Sequence, residues 1–309
     1  MAIARPAAYV GVRMRFLPAG NAGPTMPKTR TGLIAVLVTV TTVSAVRAQE
    51  TLPTYLQDRG TGVATSMFGT YVREGEWLFY PFLEYYRDQD LEYAPQELGA
   101  QGDQDYRGRY RATEVLFFVA HGLTSNLAVE FEAAGIHASF EKSPQDPSTL
   151  PLHLEESGLG DIEGQIRWRW KTENDRRPEL FSYAEAVIPH SKDKVLIGTP
   201  DWEFNFGTGI TRGFPWGTVT ARAALEYAAA STSPFDLGEY GVEYLKRVSP
   251  KWRLYAGIEG SSDELSALGE AQWHVSPNVF IRLNNSFGLT SKAIDWAPEV
   301  GVVFSLGSK

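Results

Sequence analysis

Residues 161–171 read DIEGQIRWRWK. Ile162, Gly164, Ile166, Trp168 and Trp170 share one parity, and Asp161, Glu163, Gln165, Arg167, Arg169 and Lys171 share the other. Such alternation predicts a β-strand with one apolar and one polar face, because successive side chains of a strand point to opposite sides. Two environments accept it. In a soluble sheet the indoles enter a protein core and the charges meet solvent; in a membrane barrel the indoles meet lipid and the charges line an enclosed interior.

The pattern recurs along the chain. Strands are predicted near residues 76–88, 107–121, 126–140, 159–171, 179–190, 201–212, 217–229, 237–248, 251–260, 265–275, 278–288 and 293–306, twelve in all. Each has roughly the 9 to 11 residues that cross a bilayer when tilted. Trp202, Phe204 and Phe206 alternate with Glu203, Asn205 and Gly207; Trp252, Leu254, Ala256 and Ile258 alternate with Arg253, Tyr255, Gly257 and Glu259. Long polar links at 89–106, 141–158 and 191–200 interleave with tight ones at 122–125, 172–178 and 213–216, the rhythm of outer-membrane barrels. Trp168, Trp170, Trp216, Trp252 and Trp273 fall at strand ends, where aromatic girdles sit.

A lipid-facing Lys or Arg at the bilayer centre costs about 2 to 4 kcal/mol, so the apolar parity should be free of mid-strand charge. Segment 107–121 departs from this: Arg107, Arg109 and Arg111 share parity with Val115, Phe117 and Val119. Either a bulge near Thr113 switches faces, or the arginines lie beyond the hydrocarbon at the level of anionic headgroups.

The bulk composition agrees with an exported barrel. Residues 1–48 hold six of the 29 Lys and Arg and no Asp or Glu, leaving 23 basic against 37 acidic groups in the remainder. An acidic body excludes nucleic acid as a partner, since that affinity comes from cations on phosphates. Cysteine is absent, which removes disulfides and thiolate chemistry, and the five histidines show no metal-ligand spacing. Residues 32–46, GLIAVLVTVTTVSAV, follow Lys28 and Arg30 and precede small residues, which predicts a signal peptide cleaved after Ala48. From Met26 the leader has ordinary length, so residues 1–25 are expected to come from a mis-assigned start. After Ala48 there is no run of 18 apolar residues, so any membrane crossing must use a closed barrel.

The last strand is PEVGVVFSL, residues 298–306. Glu299, Gly301, Phe304 and Leu306 resemble the C-terminal signal read by the barrel-assembly machinery, although Gly307, Ser308 and Lys309 follow where the signal usually ends the chain. Residues 106–306 also resemble the outer-membrane channels associated with aromatic-compound (phenol, MetA-pathway) degradation. That resemblance rests on YRATEVLFFVAHGLTSNLAVEFE (110–132), SGLGDIEGQIRWRW (157–170) and the closing strand. It implies a barrel that passes small molecules.

The predicted architecture is an all-β, 12-stranded antiparallel transmembrane barrel over residues 76–306. Residues 49–75 form a periplasmic or plug segment before it. The predicted function is a non-enzymatic outer-membrane channel for passive passage of small molecules, hydrophobic or aromatic ones included, with no cofactor or metal and with lipid as its surrounding partner. A barrel with a blocked lumen is the alternative. Glu163, Gln165, Arg167, Arg169, Glu203, Asn205, Arg222, Glu226, Glu239, Glu243, Arg253, Glu259, Glu270, Arg282, Asn284 and Glu299 face inward on this reading. They form a selectivity surface or a salt-bridged filling. A hydrolase is a third class, its nearest motif being HGLTSN (121–126) with Ser125 in a turn. The acidic stretch 88–105 reads as a solvated loop, and Pro144, Pro147 and Pro151 stiffen a link that either covers the mouth or is simply ordered.

Overall fold

The computed structural model describes residues 52–190, 192–199, 201–228, 234–262 and 264–307; the expected leader and its cleavage site lie outside these. After a 3-10 turn, η1 (Thr54–Leu56), come two short paired strands, β1 (Val63–Ala64) and β2 (Tyr71–Val72). Twelve long strands then follow: β3 (Trp77–Tyr93), β4 (Tyr106–Thr124), β5 (Leu127–Glu141), β6 (His153–Lys171), β7 (Glu179–Ile188), β8 (Glu203–Phe214), β9 (Gly217–Ala228), β10 (Phe235–Arg247), β11 (Trp252–Ser261), β12 (Glu264–Ser276), β13 (Val279–Gly288) and β14 (Ala297–Leu306). Each pairs antiparallel with its sequence neighbours, and β14 pairs with β3, so the sheet closes and has no free edge.

The connections fall into two sets. At one end, here the turn end, strands are joined by links as short as Ser125–Asn126, Pro215–Trp216 and Pro277–Asn278. Thr124 and Ser276 hydroxyls accept the backbone N–H two residues on, which tightens two of these links. The first barrel strand starts at this end and the last finishes there. Most links at the opposite, loop end are longer, including 94–105 with the 3-10 turn η2 (Pro95–Leu98), 142–152 and 189–202, while β11 and β12 are joined there by residues 262–263 alone.

Burial follows parity around the wall. In β6, Glu163, Gln165, Arg167 and Arg169 are buried while Ile166, Trp168 and Trp170 are exposed. All eight tryptophans of the chain lie on the outside, 38 to 57% exposed. A soluble core would bury these rings, whereas an interfacial belt leaves them outward. The wall is therefore a transmembrane barrel: apolar outside, charged inside.

Three details differ from the sequence expectation or resolve it. Residues 88–105 do not form one solvated loop, because β3 runs on to Tyr93 by pairing with the start of β4, and Asp88 and Glu97 are buried. The link expected at 141–158 is shorter, since β6 begins at His153, paired with Glu141. No bulge occurs at Thr113: the register of β4 runs unbroken from Arg109 to Gly122 against β5, so Arg107, Arg109 and Arg111 stay on the outward face, near the loop end.

Links at the loop end pack over the mouth. Leu98, Leu150, Leu196 and Ile197 are buried in one apolar cluster with Tyr93 and Phe140. The Tyr93 hydroxyl donates to Asp146 at 2.9 Å and accepts from the Ser143 N–H at 3.0 Å, which fixes the proline-stiffened link as a cover. Burial pushes the Glu97 carboxyl up to about 7, against the Ala94 N–H and the Lys292 ammonium, which favour its charged form.

Candidate functional site: the charged lumen

Three arginines reach into the middle of the barrel. Arg222 on β9 lies 3.2 Å from Glu239, 3.5 Å from Glu243 and 3.5 Å from Glu259, on the next two strands. Arg167 on β6 lies 3.8 Å from Glu130 and donates to Gln165 at 2.8 Å. Arg282 on β13 donates to Glu270 at 2.9 Å, and the Tyr80 hydroxyl bonds to Glu299 beside it. Each guanidinium also lies over a ring: Arg222 over Phe68 at 4.1 Å, Arg167 over Tyr183 at 4.8 Å, Arg282 over Tyr80 at 4.9 Å.

Small residues make room for this layer. A Cβ at Gly207 would come within 2.1 Å of the Tyr183 ring, so that aromatic lies flat on the wall because β8 offers only backbone there. Glu185 ties β6 to β8, accepting from Gln165 at 2.7 Å and Asn205 at 2.8 Å.

Residues before the barrel enter it from the turn end. Arg59 bonds to Glu173 at 2.9 Å and Glu179 at 3.0 Å, with all three side chains fully buried. Arg169 donates to the carbonyls of Thr61 at 3.1 Å and Gly62 at 2.8 Å. Deeper, the Ser66 N–H donates to Glu130 at 2.9 Å, Phe68 stacks on Tyr255 at 5.7 Å, and Gln272 reaches the Gly69 carbonyl at 3.4 Å. The backbone at Tyr55 lies so close to Gly213 that a Cβ there would sit 2.0 Å from its carbonyl oxygen. Tyr55–Val72 thus make their contacts with residues on the inward parity of the strands and with the turn-end links.

Beside this segment lies a small cavity, with about 20 Å³ of room for the centres of water molecules, lined by Ser66, Met67, Phe118, Glu130, Glu132, Glu163, Gln165, Glu185, Arg222 and Glu239 among others. The inner face of the barrel across β3 to β6 is acidic: Glu84, Glu114, Glu132 and Glu163 are buried, Glu84 opposite Glu114 and Glu132 opposite Glu163 in the ladder. Glu84, Glu114 and Glu132 have no ion pair among the described residues. Among the described residues, no group of three His, Asp or Glu is arranged to hold a metal.

Of the inward residues read from the sequence, Arg222, Glu239, Glu243 and Glu259 form one cluster, Gln165 and Asn205 share Glu185, and Asn284 sits between Glu270 and Glu299 in register. Arg169 belongs to the turn-end network instead. Glu203 is buried at the start of β8, and Glu226 and Arg253 are half-buried. Glu130 and Glu132 also face inward, as the parity of LAVEFEAAG allows, and Arg59, Glu173, Glu179 and Glu185 join the lumen networks without a local signal in the sequence. In the HGLTSN run, His121 is held by the Glu76 carbonyl at 3.0 Å and stacked on Trp77 at 4.0 Å, while the Ser125 carbonyl accepts from Arg169. That run assembles no nucleophile and base. An exposed His137–Ser157 contact of 2.7 Å does exist, but Glu155 is 3.9 Å from the ring, too far to orient it by a hydrogen bond.

No family model and no curated protein matches the sequence. Solved structures do match the fold. An outer membrane channel from Pseudomonas putida F1 superposes with a TM-score of 0.56 at 13% identity, covering 76% of this chain and 97% of that one. The translocator domain of the autotransporter NalP from Neisseria meningitidis gives 0.48 at 13% identity, over 74% and 88%. A toluene transporter from Ralstonia pickettii gives 0.35 at 11% identity, over 75% and 88%. The first of these likenesses supports the barrel architecture.

Proposed function

We propose that the protein is an outer-membrane channel for passive passage of small molecules, with its loop end facing the cell exterior and its turn end facing the periplasm. The observation that carries this reading is a closed wall, apolar outside, around an interior lined by charged side chains that holds a cavity beside the N-terminal segment. Long loops outside and short turns inside support the orientation. The likeness to the P. putida channel, whose name states that activity for that protein, supports it further.

The segment Leu52–Glu76 sets the conducting cross-section. It fills part of the lumen through Arg59, Ser66 and Phe68, so the path for solute is the space left beside it. Guanidinia stacked on Tyr80, Tyr183 and Phe68 beside buried carboxylates offer contacts to the ring and to the polar group of a small aromatic solute. Phenol-like molecules, the class implied by the sequence resemblance, fit that lining. Glu299, Gly301, Phe304 and Leu306 act as the assembly signal: Glu299 and Gly301 face inward on the closing strand, and Leu306 faces outward at its end.

Purified protein in planar bilayers tests the reading. Discrete conductance steps, larger in a variant lacking residues 52–73, are expected. A folded barrel that conducts only when residues 52–73 are removed would favour the blocked-lumen alternative, for which the tightly bonded N-terminal segment is the specific support.

A further inference from the structure

Arg87 on β3 and Arg111 on β4 are direct cross-strand partners, and both are exposed on the outward face. Opposed residues in a ladder have Cβ atoms about 5 Å apart, and like charges so placed repel. Neither arginine has an ion pair among the described residues; the polar neighbour of Arg87 is the neutral amide of Gln89. Nearby cations are balanced, Arg107 by Glu92 at 2.7 Å and Arg109 by Glu141 at 3.3 Å. Arg212, near the turn end, is also satisfied internally, by the carbonyls of Asn174, Asp175 and Arg177.

The depth of this pair is set by its neighbours. Tyr85, one outward position before Arg87, meets Trp296 edge-on at 6.3 Å, and the Trp296 backbone pairs with that of Arg87. Interfacial Tyr and Trp mark the border of the hydrocarbon. On β4 the exposed apolar residues begin at Val115, about 13 Å along the strand from Arg111 at roughly 3.4 Å per residue. Both guanidinia therefore project at headgroup level, on the loop side.

We propose that Arg87 and Arg111 form a binding site for the phosphate groups of the phosphorylated glucosamine glycolipid, lipopolysaccharide, in the outer leaflet. A guanidinium presents a planar fork of donors that matches phosphate oxygens two at a time. A phosphate held between the two forks converts a repulsive pair into a bridged one, while Tyr85 and Trp296 border the first part of the acyl chains. The glycolipid is the occupant because the orientation proposed above places this end of the barrel in the leaflet that carries it.

The test uses the whole protein in detergent, titrated with bisphosphorylated lipid A, with lipid A stripped of both phosphates, with phosphatidylglycerol and with inorganic phosphate, and native mass spectrometry reads the bound lipid. Bisphosphorylated lipid A is expected to remain bound, with affinity weakened roughly tenfold or more in R87Q/R111Q, the loss of charge-assisted contacts. R109Q, whose guanidinium is already paired with Glu141, is expected to bind like the parent protein. R111Q alone gives a second reading with a smaller change to the wall, and heat-dependent gel mobility confirms that each variant is folded. Unchanged binding in R87Q/R111Q and R111Q would overturn the proposal, as would equal binding of the dephosphorylated lipid, phosphatidylglycerol or inorganic phosphate. Binding in detergent does not require a conducting pore, so failure here leaves the channel reading standing.

Discussion

At the turn end of the lumen, Arg59 and Arg169 both contact Glu179, Glu173 receives Arg59 and the Gly213 N–H, and the chain before the barrel lies among them. At mid-barrel, across β3 to β6, Glu84, Glu114 and Glu132 are equally buried but no arginine pairs with them. The same residue types serve two purposes. Where each charge meets its opposite, the lumen is filled and a segment is held; where carboxylates stand together without a cation, the wall presents a row of acidic groups to whatever passes.

Removing the held segment should have the largest effect. Deleting residues 52–73 is expected to raise single-channel conductance several-fold, and unchanged conductance would show that this segment does not limit the path. Arg59→Ala should come next. It leaves Glu173 and Glu179 short of their cation in a buried site, a loss of about 3 to 5 kcal/mol, read as a lower unfolding midpoint in detergent and noisier current. A variant as stable as the parent protein would mean that water already solvates those carboxylates.

At mid-barrel the expected effect is on selectivity. Reversal potentials in a salt gradient should show cation preference, and Glu132→Gln with Glu163→Gln should reduce it with little change in stability, because replacing both of two opposed carboxylates removes their mutual repulsion. A parent channel that prefers anions would break the comparison. The smallest effect belongs to the loop-end cover. The Glu97 carboxyl sits at about 7 when folded and near the ordinary carboxylate value when unfolded, so its neutral form favours the folded cover. The cover should therefore lose stability as pH rises from about 4.5 through 7, and level off above. Protection of residues 94–105 against hydrogen exchange, relative to the intrinsic rate at each pH, should be greater at pH 5 than at pH 8, and Glu97→Gln should flatten the difference.

The wall was legible in the sequence because alternation is local: each strand announces its inward and outward residues by itself, and DIEGQIRWRWK needs no partner to do so. All twelve segments appear within a few residues of their expected places. What fills the wall was not legible. That Arg59 pairs with residues more than a hundred positions away, or that Phe68 lies beneath Arg222, depends on closure of the barrel, which no local pattern encodes. The same limit explains the loop end. Asp88 and Glu97 read as solvated charges because nothing in their own stretch reveals the links at 142–152 and 289–296 that pack beside them. For Arg107, Arg109 and Arg111 the deciding fact was the register with β5, again a property of the neighbour.

The claim beneath all of this is that the apolar face of every strand meets acyl chains, and the eight outward tryptophans report on it directly. Reconstituted in bilayers with brominated acyl chains, the protein should lose most of its tryptophan emission, most strongly with bromines near the headgroup end of the chain, and iodide in the water should quench it little. Emission untouched by brominated lipid, from a protein that stays monomeric in water without detergent, would contradict the account.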